Sequence, residues 1–367
     1  MKKITFLYSF ALLLLVSAVS CTLKDGIDQD LSFLNTVASG NVNKIFDISN
    51  DNSGKVKITP TGEGVSSFLV TYGHGTGSSA SATVVTGGST THAYPEGNYT
   101  VTIAATDIAG HQTTTTYPLV VTYRAPENLV IKTSGSGAIK VSATALYANS
   151  FLVYYGDVAN EVGTPMAVGQ TLPAHSYPPG GPYDLKVIAQ SGGAATIQAV
   201  KTLFGLPLSF EIPTMNYFFG TFDDWGAQKF ATVANPNPTG LDTSSKVGMF
   251  TRGHAGWSGT YSPLDIPIDF AVGKKIKVLV YNPDPALVGK SLNVELENAI
   301  GGTPGNGVAV VKMPLTKAGA WEELVFDYST IAGIPAGTKF SQLVLRFNDS
   351  STGAGAVIYL DDFRLTN

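Results

Sequence analysis

The strongest constraint on the fold of this chain is an internal repeat built from short alternating segments. FLVTYG at 68–73 returns as FLVYYG at 151–156, and HAYPEGNY at 92–99 returns as HSYPPGGPY at 175–183, each 83 residues on. Within each copy, apolar residues recur at every second position, the period of a strand with one buried face. The first copy reads as strands at 56–59 (VKIT), 67–72 (SFLVTY), 99–104 (YTVTIA) and 119–122 (LVVT). Turn-forming clusters separate them, GHGTGSS at 73–79 and PEGN at 95–98. Strands at this spacing predict two consecutive small β-sandwiches, over 39–123 and 124–207.

Both copies place a strand ending in a Gly-containing turn before H-x-Y, then Pro/Gly, then Tyr and another strand. In this they resemble the polycystic-kidney-disease (PKD) type of immunoglobulin-like domain. The first copy has Tyr72-Gly73-His74-Gly75 and the second Tyr155-Gly156-Asp157, where that family tends to have F-G-D-G. Both depart from the full motif, so another Ig-like sandwich remains open. His92 and His175 stand one per copy, with no Cys, Asp or second His at a metal-ligand spacing, and are read as capping or packing a turn. The resemblance implies that these domains act as spacers.

The third region, 208–367, holds all three tryptophans and a denser set of apolar segments. Strands are expected at 208–212, 246–252, 256–261, 275–281, 291–297, 307–313, 321–327, 342–347 and 356–365, enough for a jelly-roll sandwich. Alternation assigns their faces: Leu292, Val294 and Leu296 oppose Asn293, Glu295 and Glu297, and Leu343, Leu345 and Phe347 oppose Gln342 and Arg346. The fold class is therefore all-β, two Ig-like (PKD-type) sandwiches followed by a jelly roll. Composition agrees: 40 of 367 residues are Gly and only 14% are charged, which suits an all-β secreted protein. A net charge of −4 gives no basic field for nucleic acid.

The stretch 246–261, KVGMFTRGHAGWSGTY, concentrates the candidate binding chemistry. Read as strand, loop and strand, it places Trp257, Gly259 and Tyr261 on one face, a shallow ledge on which a sugar ring could lie flat. The alternative is that Trp257 is a core tryptophan of the sandwich. Arg252 and His254 on the loop, and Glu295 on a polar strand face, are candidate hydroxyl partners. Trp225, in a polar Gly-flanked loop, is a further candidate ring, and Trp321 is read as structural.

The third region also carries LSFE at 208–211, VANPNPTG at 233–240, TSSKV at 243–247, WSG at 257–259, AGAWEELVFD at 318–327 and YLDDF at 359–363. In that order these resemble a Bacteroidetes carbohydrate-binding jelly roll of the kind found beside laminarinases and in surface glycan-binding lipoproteins. The resemblance implies a polysaccharide ligand, with β-1,3-glucan (laminarin) first. It also implies a structural Ca²⁺ held by Glu211 with Asp362 or Asp361 where the first and last strands pair, Asp362 being preferred; hard oxygen ligands suit that ion. A solvated pair of edge carboxylates is the alternative.

The N-terminus reads as a secretory signal over 1–20, with Lys2 and Lys3 before an apolar run at 6–16. Cys21, the single cysteine, then resembles a lipobox cysteine, with Ala18 where that motif usually has Leu. The acidic tether 21–38, with Asp25, Asp28 and Asp30, resembles outer-surface export signals. A monomeric outer-membrane lipoprotein is expected, anchored by lipid alone, capturing polysaccharide for an uptake system and its importer complex. No nucleophile elbow, HExxH, P-loop or glycosidase signature accompanies Glu295 and Glu297 or Glu322 and Glu323, so no catalytic residue and no enzyme activity are expected. A structural adhesin and, more remotely, a glycoside hydrolase are the rival readings.

Overall fold

The computed structural model describes residues 39–178, 180–222, 229–300, 308–335, 337–349, 351–353 and 355–367. Cys21, its tether and Trp225 lie outside the described residues. Among those described, regular structure is β-strand with a few short 3-10 turns. The protein is all-β, and the chain divides into two compact units, ending at Thr122 and beginning at Tyr123.

The first unit contains β1 (Gly40–Ile48), β2 (Lys55–Glu63), β3 (Val65–Thr71), β4 (Ser81–Val85), β5 (Thr90–Ala93), β6 (Gly97–Asp107) and β7 (Gln112–Val121). They form two sheets, β1-β2-β5 and β4-β3-β6-β7. Alternate residues Val56, Ile58, Phe68, Val70, Val101 and Ile103 are fully buried, which is the period-two pattern realised as one core face.

The second unit opens with a copy of the same plan: β8 (Glu127–Ser134), β9 (Ala138–Leu146), β10 (Ser150–Tyr154), β11 (Thr164–Ala167), β12 (His175–Ser176), β13 (Asp184–Gln190) and β14 (Thr196–Thr202). Its sheets are β12-β9-β8 and β11-β10-β13-β14. The repeated H-x-Y motif explains itself here. The Tyr94 hydroxyl donates to the Tyr72 carbonyl at 3.1 Å and the Tyr177 hydroxyl to the Tyr155 carbonyl at 3.1 Å. His92 stacks on Tyr72 and His175 on Tyr155, centroids 4.2 and 3.9 Å apart. Each histidine also has a partner that sequence spacing did not reveal. His74 Nδ1 lies 2.9 Å from His92 Nε2, and Asp157 Oδ2 lies 2.7 Å from His175 Nε2, the same position in the two copies.

The remaining strands are β15 (Gly220–Phe222), β16 (Lys229–Ala234), β17 (Lys246–Thr251), β18 (Gly259–Asp269), β19 (Lys275–Tyr281), β20 (Ser291–Ile300), β21 (Ala309–Pro314), β22 (Trp321–Asp327), β23 (Lys339–Phe347) and β24 (Val357–Thr366). Two five-stranded antiparallel sheets, β15-β18-β23-β20-β21 and β16-β17-β24-β19-β22, enclose one large core with Phe210, Phe250, Phe326, Phe340, Phe347 and Phe363 at its centre. Trp321 is buried, and its indole N–H donates to the Asn237 carbonyl at 2.8 Å.

One irregularity joins the two halves of the second unit. The β18–β23 ladder breaks between Pro263 and Ile268, where Pro263 and Pro267 have no N–H to offer. The freed segment crosses to the Ig-like sandwich. Ile266 is buried in that sandwich's core, its N–H donates to the Phe204 carbonyl at 3.0 Å, and the Gly137 N–H donates to the Asp265 carbonyl at 2.7 Å. A side chain at Gly205 would collide with Ile266.

Candidate functional site

The outer face of the sheet β15-β18-β23-β20-β21 carries the chemistry. Leu292, Val294, Leu296, Leu343, Leu345 and Phe347 fill the inner face, so the alternate residues must point away from the core. The ladder aligns them into rows. Gly220, Tyr261, Val344, Glu295 and Val310 run straight across the sheet. On one side Phe222 pairs Gly259 while Arg346, Asn293 and Lys312 continue the row. On the other, Pro263, Gln342 and Glu297 align.

Two glycines decide how the rings sit. A Cβ on Gly259 would lie 2.3 Å from the Phe222 ring, and one on Gly220 would lie 2.5 Å from the Tyr261 ring. Each aromatic therefore reclines over the glycine opposite it, because only a residue without a side chain permits that approach. Ring centroids of Phe222 and Tyr261 are 6.4 Å apart, and Phe218 continues the line 6.1 Å beyond Tyr261. The edge segment is held in place from beneath: the buried hydroxyls of Thr260 and Ser262 donate to the Gly220 and Phe218 carbonyls at 2.8 and 2.6 Å. Beside the rings lies a recess of about 310 Å³ lined by Phe222, Tyr261, Glu297, Gln342, Val344 and Arg346.

The polar groups around the recess are prearranged. Arg346 pairs with Glu295 at 3.1 Å and places its guanidinium 5.2 Å from the Phe222 centroid. Gln342 donates to Glu297 at 2.8 Å and accepts from Asn298 at 3.0 Å. Lys312 pairs with Asp349 at 2.6 Å. Burial raises the pKa of Glu295, an effect that Arg346 opposes and that Glu297 and Asp349 reinforce. Opposite charges are interspersed, so the face has no single-sign field.

Several expected residues take different places. Trp257 is 58% exposed and lies in the turn before β18, neither a core tryptophan nor a member of the Tyr261 strand face. Gly259 does not leave an open ledge, because Phe222 fills it. Arg252 is not available to a ligand. It is buried, and its guanidinium donates to the carbonyls of Phe347 (2.7 Å), Asn348 (2.9 Å), Gly253, Ser351 and Gly353, pinning the β23–β24 loop. His254 is exposed on the same loop as Trp257. Glu295 is on the expected face but lies beneath it, 5% exposed and engaged by Arg346. Phe222 and Phe218 were not singled out in the sequence; a Gly-x-Phe pairing with Gly-x-Tyr across two strands is visible only once register is known.

The carboxylates near the chain's last strand also rearrange. Asp362 is not directed inward: it adopts φ +48° at a bulge in the β19–β24 ladder and pairs with Arg364 at 3.2 Å. The buried residue is Asp361, on the face of β24 shared with Tyr359 and opposite Leu279. Its Oδ2 accepts from Ser244 Oγ at 2.9 Å, and its Oδ1 is buried without a partner. Asp242, absent from the sequence expectation, is its neighbour; Oδ1 accepts from the Ser244 N–H at 2.8 Å and Oδ2 is likewise buried and unpartnered. Burial lifts the Asp361 pKa to about 6, with Asp242 and Asp362 adding to the effect and the Asp362 N–H and Ser244 opposing it. Glu211 lies alongside with both oxygens taken, by Ser245 Oγ at 2.9 Å and the Lys246 N–H at 2.5 Å. Burial acts to raise its pKa, but those hydrogen bonds hold it below the usual range. The two buried carboxylate oxygens without a hydrogen-bond partner are the donor type that a hard divalent cation such as Ca²⁺ takes. Among the described residues, no group of three His, Cys, Asp or Glu side chains converges as a metal-binding cluster.

No family model matches the chain, and no curated protein matches it. Several solved structures do, all distantly. A family 11 carbohydrate-binding module from Clostridium thermocellum, in complex with a β-1,3-1,4-mixed-linked tetrasaccharide, is 14% identical over 41% of this chain and 88% of its own, with a TM-score of 0.30. The tandem CBM22-1-CBM22-2 domain of Paenibacillus barcinonensis Xyn10C is 12% identical over 90% of this chain and 99% of its own, TM-score 0.31. The K1 cleaved adhesin domain of Lys-gingipain from Porphyromonas gingivalis is 22% identical over 44% and 97%, TM-score 0.30.

Proposed function

We propose that this protein is a non-catalytic glycan-binding protein, and that its ligand lies across Phe222 and Tyr261 on the outer face of the β15-β18-β23-β20-β21 sheet. One observation carries the reading: two rings reclined over facing glycines, at the lip of a recess with amide, carboxylate and guanidinium groups at its edge. Aromatic faces cover the C–H faces of a pyranose, while Gln342, Glu297 and Arg346 exchange hydrogen bonds with its hydroxyls. Interspersed charges favour a neutral polysaccharide, and β-1,3-glucan is the first candidate, with mixed-linkage β-glucan next.

Asp361 and Asp242 would hold a structural Ca²⁺, with Glu211 bracing the Ser244–Lys246 turn beside them. The ion would neutralise two buried carboxylates and fix β24 against the turn before β17. Through Cys21 the protein would be lipid-anchored at the outer membrane, passing captured polysaccharide to an importer. A polysaccharide panel in native affinity gels, with reducing-sugar release measured alongside, tests the reading. Retardation without product supports it; product release favours a hydrolase, and no retardation favours an adhesin.

A further inference from the structure

Phe218 lies between two concavities. On one side is the Tyr261 recess; on the other is a crevice of about 120 Å³ lined by Lys201, Thr202, Phe204, Asn216, Phe218, Ser262, Pro263 and Asp265. Lys201 and Thr202 end β14, so the second Ig-like sandwich forms one wall. Phe218 is a half-exposed aromatic fixed by the Ser262 hydroxyl on its carbonyl, edge-on to Tyr261. Across from it, Lys201 Nζ stands 3.6 Å from Asp265 Oδ2, and Asp265 also accepts from the Phe204 N–H at 3.0 Å. The crevice thus combines an aromatic wall, an apolar floor at Phe204 and Pro263, and a partly exposed cation, carboxylate and amide. This is the combination found at the Tyr261 recess, on the same line of rings.

We infer that the second Ig-like sandwich is part of the glycan site. A chain lying over Phe222 and Tyr261 continues past Phe218 into this crevice, where Lys201, Asn216 and Asp265 take the hydroxyls of a further sugar unit. The bulged segment of β18 that docks on the sandwich is what holds the two walls together, since Asp265 and Ile266 are anchored there. The inference rests on the proposed glycan reading and adds a subsite that the jelly roll alone lacks.

The test is calorimetry of the whole protein with β-1,3-glucan and mixed-linkage β-glucan oligosaccharides of increasing length. Phe218→Ala and Lys201→Gln are compared with Tyr261→Ala, each checked for an unchanged melting temperature. The wild type should gain affinity with length. Phe218→Ala should remove about threefold to tenfold of the affinity for the long oligosaccharides, the worth of one stacked ring, and a smaller factor for the shortest. Lys201→Gln should weaken the long ones about threefold and leave the shortest binders unchanged. Tyr261→Ala should weaken every length. If Tyr261→Ala loses binding while both crevice variants match the wild type at all lengths, the glycan reading stands and the extended subsite is overturned. If the wild type binds no oligosaccharide, both are overturned.

Discussion

At the residue scale, the account turns on which side chains are free and which are committed. Tyr261→Ala removes the central ring and should lower affinity for β-glucan at least tenfold with the fold intact. Gly259→Ala is a second probe: the added carbon would meet the Phe222 ring at 2.3 Å and Arg346 and the Leu345 carbonyl at 2.9 Å, so binding should fall at least as far as in Phe222→Ala although no ligand-contacting atom is deleted. Arg252→Ala should behave oppositely. It strips several charge-assisted hydrogen bonds from a buried loop anchor, costing about 2–4 kcal/mol in a denaturation experiment. Tyr261 and Glu295 could be placed on the right face from strand alternation alone. Trp257 could not, because residues 255–258 form a turn just before Gly259 and parity does not carry through a turn. Arg252 looked like a ligand group for a similar reason: an arginine in a loop gives no sign of the carbonyls that will surround it.

At the element scale, β24 and the turn before β17 make the clearest case for linked ionisation. With Asp361 raised to about 6 in the fold and near 3.9 when unfolded, the folded protein keeps a proton that the unfolded chain releases. Without a cation, the Asp361 contribution to stability should therefore be largest below about pH 4 and be lost as pH rises through about 6. It is opposite in sign to that of Glu211, whose lowered pKa favours the fold at higher pH. Ca²⁺ should offset the Asp361 loss: the melting temperature at pH 7.5 should rise on adding Ca²⁺ and fall with chelator, and the increment should shrink by pH 5 as Asp361 protonates. Asp242→Asn should abolish most of the increment; an Asp242→Asn protein that still gains the full shift would exclude this pocket. The strand expected over 208–212 is reduced to an isolated Leu208–Phe363 bridge, and Glu211 lies in the turn after it, beside the Ser244–Lys246 segment that also reaches Asp361. The sequence reading prefers Asp362 to Asp361 for the ion, but the bulge in the β19–β24 ladder leaves Asp362 paired with Arg364 and Asp361 as the buried carboxylate.

For the whole molecule, the repeat and the alternating strands made the architecture legible: both Ig-like sandwiches repeat one strand order, and the ten-strand region forms two facing sheets. What spacing could not convey was Ile266, a residue of the jelly-roll sequence buried in the preceding sandwich's core. A protein beginning at Tyr123 should fold and bind as the full chain does. One cut at 207/208 should expose Ile266 and lose stability, and calorimetric unfolding should show the second sandwich and jelly roll melting together, apart from the first. The central claim concerns the ring platform, and titration of Tyr261→Ala and wild type with a soluble β-glucan tests it most directly. The account predicts saturable binding by the wild type and a loss of at least tenfold in the folded variant; equal affinity for the two proteins would contradict it.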